Sequence, residues 1–235
     1  MTLAPFDAGI ILPAFVAGLL VLATHVPMGQ RVLARGIVFI DLAIAQIAGL
    51  GVIVADMFGG EPQGWVVQLA AVSAALLGAL LLTYTEKRWP DIQEALIGVL
   101  FVLAASGGLL LLANHPHGGE RLRDLLVGQI LWVDYAQLLP LGVLTAVIVA
   151  LWWGLGERLG RMGFYIVFAC AVTASVQLVG IYLVFASLIM PPLATRRWPP
   201  RRRLAAAYGL GVAGYALGLV LSTLVDVPAG AMIVW

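Results

Sequence analysis

Residues 179–203 read VGIYLVFASLIMPPLATRRWPPRRR, an apolar run followed by a double proline and then five arginines within eight residues. Leu183, Phe185, Leu188 and Ile189 suit lipid or a neighbouring helix. Pro191-Pro192 removes two consecutive backbone donors, so the helix is expected to end or bend sharply there. An arginine at the centre of a bilayer costs about 2.5 to 3.5 kcal/mol on insertion scales. The stretch is therefore read as a membrane exit, and its arginines decide on which side the loop lies.

The rest of the chain agrees with that reading. Of 235 residues, 62% are hydrophobic and 11% charged, with a mean hydropathy of +1.04. A soluble domain carries about 45 to 50% apolar and 25% charged residues, so a polytopic membrane protein is expected. The first 30 residues contain no Lys or Arg. Gly9 to Val26 thus lacks the basic start of a secretory signal peptide and reads as a retained first span. Cys170, the only cysteine, lies in an apolar run and reads as a small packed residue without a disulfide partner.

A span needs about 20 apolar residues, which places candidates near 8–27, 36–57, 64–85, 93–114, 134–155, 163–179, 181–195 and 205–225. The expected fold is all-α, a single transmembrane bundle over residues 1–235 with about eight spans. The segment 163–195 reads as a broken or re-entrant hairpin turning at Gly180, which is tolerated at membrane depth where protein or a water-filled cavity covers the freed backbone.

With eight spans, Arg31, Arg35, Lys87, Arg88, Arg158, Arg161 and the five arginines at 196–203 fall on one side, 11 of the 13 basic residues. By the positive-inside rule that side is cytoplasmic and both termini are external. The external side then collects Asp7, Asp56, Glu61, Glu120, Asp124, Asp134 and Asp226, and an acidic mouth attracts cations. In the loop 115–132, Leu122, Leu125, Leu126 and Ile130 have helical spacing, which suggests a short amphipathic helix at the interface or tucked into the bundle, with Trp132 as an anchor.

Among polar residues Asp41 is the most informative, because it lies within the apolar second span. On a helix it shares a face with Ala45, Ala48 and Gly49, whereas Gln46 lies roughly 140° away. The Ala45-x-x-x-Gly49 spacing allows close approach of another helix. Asp41 is thus either a cation site or a group hydrogen-bonded within a tight helix pair. Gln46 and Gln177 offer donors and an acceptor to a polar path, or satisfy each other's helices. His115 and His117 form a His-x-His pair without a third placed ligand. His25 is read as a helix-end residue on the cytoplasmic side.

The chain has no Walker A loop, Gly-x-Ser-x-Gly, His-Glu-x-x-His or Cys-x-x-Cys motif. If transport is driven by ATP, another subunit must supply the nucleotide site, and the rigid basic loop 191–203 is the expected docking element.

The residues resemble the bacterial ATP-binding-cassette permeases that import zinc, manganese or iron. The resemblance is carried by Phe39 to Gly51, by Glu94-Ala95-Leu96-Ile97-Gly98, by Leu126-Val127-Gly128-Gln129-Ile130-Leu131, by Val179-Gly180 through Pro191 to Arg197, and by Asp226-Val-Pro-Ala-Gly230. It implies a non-catalytic translocation subunit in the bacterial inner membrane that carries a divalent metal ion as cargo and binds no cofactor itself. The implied partners are an ATP-binding cassette ATPase that holds ATP, an extracytoplasmic metal-binding protein and a second copy of the permease, with no nucleic acid.

The resemblance also implies roles for particular residues. Asp41 would be a metal ligand with Gln46 nearby, and Pro191, Pro192, Ala194, Arg196 and Arg197 would form the coupling segment against the ATPase, with a coupling helix after the prolines. The family's second span usually has histidine four residues after the aspartate, where this chain has Ala45. The connection at 156–162 is shorter than usual, and the chain stops soon after the final external turn. Two alternatives stay open: a secondary cation transporter or channel, with Asp41 as its proton or cation site, and, from these departures, a permease-derived membrane scaffold.

Overall fold

The computed structural model describes residues 8–59, 64–113 and 115–235. Asp7 and Glu61 of the expected acidic mouth lie outside them. Among the described residues there are ten α-helices and no strand: α1 (Ala8–Arg35), α2 (Ile40–Met57), α3 (Trp65–Arg88), α4 (Gln93–Leu112), α5 (Gly118–Val127), α6 (Tyr135–Leu155), α7 (Gly160–Val179), α8 (Ile181–Ala194), α9 (Pro200–Val225) and α10 (Ala229–Val234). Seven of them, α1 to α4, α6, α7 and α9, are long and apolar enough to cross a membrane. The remaining expected span, 181–195, is α8, which has only 14 residues, about 21 Å at 1.5 Å per residue. The fold is therefore the expected polytopic helical bundle.

α1 runs eight residues further than its apolar run predicts. Its last turns hold arginines whose charges find aromatic faces: the guanidinium of Arg31 lies 4.3 Å from the Trp152 ring centroid and that of Arg35 4.4 Å from Phe164. Because the helix extends to Arg35, His25 is not at its end. His25 is fully buried, with Nδ1 2.9 Å from the Val21 carbonyl.

At this basic end Gln93 Nε2 donates to the Leu82 carbonyl (3.0 Å) and to the Tyr165 hydroxyl (3.3 Å), and Glu86 lies 3.8 Å from Arg161. These contacts bind the ends of α3, α4 and α7. A single 3₁₀ turn at Gly156–Leu159 makes the short link from α6 to α7.

The opposite, acidic end is gathered around a backbone contact. Gly180, with φ +81°, separates α7 from α8, and Gly128, with φ +72°, ends α5. Each packs against the other's main chain, where any Cβ would overlap backbone atoms. Gly230, near the start of α10, packs on the Val127 carbonyl. Three of the sequence blocks singled out above, around 126–131, 179–180 and 226–230, thus meet at one point.

The double proline does not end α8 where the sequence suggests. The helix continues through Pro191 and Pro192 to Ala194, with both prolines buried. Only the carbonyls of Ser187 and Leu188 lose their i+4 donors, and that of Leu188 lies directly against Gly29 of α1, a place no side chain could occupy. Thr195 closes the helix by donating its hydroxyl to the Pro191 carbonyl at 2.9 Å.

Candidate functional site

Asp41 is the second residue of α2 and only 1% exposed. Neither Oδ1 nor Oδ2 accepts a hydrogen bond from any described residue. A buried carboxylate without donors costs several kcal/mol, so this position is held at the expense of stability. The small residues expected on its face, Ala45, Ala48 and Gly49, are all buried. The same face continues through Val52 to Asp56, eleven and fifteen residues on.

α2 therefore carries a carboxylate near each end, joined by a strip of small side chains. The close approach expected at Gly49 does not occur there, since its nearest neighbour is Leu125 of α5, in ordinary contact. α2 and α3 touch instead at Gly51 against Ala70 and Ala74.

α5 is the expected amphipathic helix, turned inward. Leu122, Leu125 and Leu126 are half-buried while Arg123 and Asp124 are exposed. Arg121 forms an ion pair with Asp56 and so ties α5 to the end of α2. Beneath this pair lies a cavity of about 370 Å³ lined by Asp56, Arg121, Asp124, Gln129, Gln68 and Gln177. A second cavity, of about 600 Å³, shares Gln68 and Gln177 and adds Asp134 and Thr173. Gln68 of α3 and Gln177 of α7 thus border both spaces. Asp134 is held as a capping box on α6, accepting from Gln137 N–H at 2.8 Å.

The other sequence candidates divide cleanly. Gln177 lines the cavities, whereas Gln46 is half-buried on a different face of α2 from Asp41. His117 pairs with Glu120 at 3.2 Å, both well exposed, and no cluster of three or more His, Cys, Asp or Glu side chains occurs among the described residues. Cys170 is partly buried on the wall of the larger cavity. Sequence reading did not connect Asp56 to Asp41, although the fifteen-residue spacing on one helix face was available. It also missed Gln68 and Thr173, whose polarity is unremarkable until α3 and α7 are brought together.

At the basic end, the expected coupling residues separate into a buried and an exposed set. Pro191 and Pro192 pack inside, while Ala194, Arg196 and Arg197 are exposed together with Leu193 and Trp198. No separate helix follows the prolines. Residues 195–198 form a turn, with Trp198 N–H donating to the Thr195 carbonyl at 2.9 Å, and Arg203 reaches back to the Arg196 carbonyl. Pro199-Pro200 then starts α9 immediately, which leaves too few residues for an intervening helix.

The model of the ABC 3 transport family matches residues 7–155 and 150–235. The chain belongs to that family. As an ABC 3 member it is 27% identical over 230 residues to the manganese transport system membrane protein MntC of Halalkalibacterium halodurans, covering 88% of this chain and 76% of the relative. It is 22% identical over 246 residues to the high-affinity zinc uptake system membrane protein ZnuB of Haemophilus influenzae, covering 96% of this chain and 92% of that one. Among solved structures it shares its fold with PsaBC from Streptococcus pneumoniae in complex with Fab, at a TM-score of 0.74 and 21% identity, covering 98% of this chain and 87% of that one. For this ABC 3 chain, the match spans both the acidic-end cavities and the basic-end turn.

Proposed function

We propose that this chain is the membrane-spanning permease subunit of an ATP-driven importer of a divalent transition metal of the zinc or manganese class. Family membership and the manganese and zinc transport systems named for its relatives support the reading. The observation that carries it is Asp41, a buried carboxylate with both oxygens unengaged by described residues, on the α2 face that begins at the Asp56 cavity. Carboxylate oxygen is a ligand that a divalent cation accepts. In this scheme the acidic end is external, cations collect at the Asp56 cavity, and Asp41 receives them near the cytoplasmic end of α2.

The sequence has no Walker A loop, and a cassette ATPase drives it from the basic side, where Leu193, Arg196, Arg197 and Trp198 present an exposed apolar and cationic turn on the buried Pro191-Pro192 base. An extracytoplasmic metal-binding protein delivers cargo, and two copies of the permease pair in the bacterial inner membrane. Asp41→Asn, assayed with the partner ATPase in reconstituted vesicles, is expected to lower zinc and manganese uptake at least tenfold. Uptake unchanged by Asp41→Asn, or undiminished when the ATPase is inactivated, rules the scheme out.

A further inference from the structure

Asp41 is in the first turn of α2, where an aspartate ordinarily folds back to accept from the free N–H groups of its own helix. Here it does not, and the N-cap amide to which a first-turn carboxylate can reach back is bonded from another helix. Glu94, the second residue of α4, reaches across to the start of α2, and its Oε1 accepts from Phe39 N–H at 3.2 Å. Phe39, the N-cap of α2, makes no side-chain cap of its own. The next amide, Ile40 N–H, is bonded to the Ile37 carbonyl at 3.2 Å. Glu94 also lies in the first turn of α4, so one carboxylate serves the positive ends of two helices. Its neighbour Gln93 is 97% buried and bonded to the Leu82 carbonyl and Tyr165, which fixes the turn from which Glu94 projects.

The geometry points to Glu94 as the positioning residue for Asp41: by capping α2 from α4 it leaves the Asp41 carboxylate unengaged and available to a divalent cation. The inference rests on the reading of Asp41 above and goes beyond it, because it makes affinity for the cation depend on a residue that does not touch it. Without an acceptor at position 94, the Phe39 amide loses its partner, and the Asp41 carboxylate, two residues on in the same turn, is an acceptor that can replace it.

The test is zinc and manganese uptake by the permease reconstituted with its ATPase, comparing wild type, Asp41→Asn, Glu94→Ala, Glu94→Gln and the Asp41→Asn/Glu94→Ala double variant. Glu94→Ala is expected to raise KM for both metals about tenfold with Vmax within twofold. Glu94→Gln, whose amide oxygen still accepts, should return KM to within about twofold of wild type. The double variant should be no worse than Asp41→Asn alone. If Glu94→Ala does not assemble in the membrane, Glu94→Met, which keeps the length and lacks the acceptor, carries the same expectation.

A raised KM in Asp41→Asn beside unchanged KM in the Glu94 variants overturns this inference and leaves the reading of Asp41 standing. So does a fall in Vmax alone, failure of the glutamine variant to rescue, or additive losses in the double variant. Uptake by Asp41→Asn equal to that of wild type removes both.

Discussion

Gly128 and Gly180 touch main chain to main chain, each in a positive-φ conformation, and that contact seats the end of α5 on the break between α7 and α8. Gly180 has φ +81° and ψ +162°, a combination open essentially to glycine alone and costing other residues about 1 to 3 kcal/mol. The overlap of an added Cβ with Val127 and Gly128 comes on top. Gly180→Ala is expected to destabilise the protein by roughly 3 kcal/mol or more, read as loss of monodisperse protein in detergent and a lower Tm. Gly209→Ala, in the middle of α9 with open space around the added methyl, should leave Tm unchanged or raise it. Equal behaviour of the two variants would contradict the assigned role of the contact.

Asp41 predicts an opposition between stability and transport. Because its carboxylate is buried without a donor among the described residues, Asp41→Asn removes an unpaired ionisable group and should raise thermal stability by about 1 to 3 kcal/mol. The same change should abolish most uptake. A lower Tm for the asparagine variant would mean that the carboxylate stabilises the apo protein and is already engaged.

The Arg121–Asp56 ion pair sits over the smaller cavity with Arg121 37% exposed. A pair so placed stabilises by about 1 kcal/mol or less and weakens with salt. Arg121→Gln should therefore change Tm little while freeing Asp56 to face the cavity. Half-saturation by zinc or manganese is expected at a lower concentration, most clearly at low ionic strength. A rise in that concentration would show that Arg121 aids entry instead of competing with the cation.

The hydroxyls of Ser187 and Tyr215, 2.9 Å apart, join α8 to α9, and Ser187 also donates to the Leu183 carbonyl at 2.7 Å. Tyr215→Phe keeps the buried ring and removes one hydrogen bond, at a cost of about 1 kcal/mol. Tyr215→Ala empties a site in which the ring packs on Gly18 and should cost about 3 to 5 kcal/mol. Thermal unfolding of the two variants in the same detergent distinguishes them, and equal losses would show that the ring contributes nothing beyond its hydroxyl.

Fold class, the spans and the two unlike ends were legible in the amino-acid sequence, because apolar length and the placement of charge are local properties that a bilayer constrains strongly. The same locality made Asp41 and the break at Gly180 visible, and it placed an amphipathic helix in the 115–132 loop. Local reading also misled in places.

It stopped α1 near residue 27 because Gln30, Arg31 and Arg35 are polar, whereas the helix continues to where Arg31 and Arg35 meet Trp152 and Phe164. It expected a coupling helix after Pro191-Pro192 and tight packing at Gly49, but both depended on which helix lies opposite. Only the tertiary structure decided that Asp56 is paired with Arg121, that Gln68 and Gln177 border the same cavities, and that the start of α2 is capped from α4. These relationships join residues tens of positions apart, and hydrophobic periodicity along one helix holds no record of its neighbour. Asp41 is conspicuous in the sequence; that its two oxygens are left unengaged by described residues, with Glu94 bonded to the Phe39 amide at the start of its helix, belongs to the packing of α2 against α4.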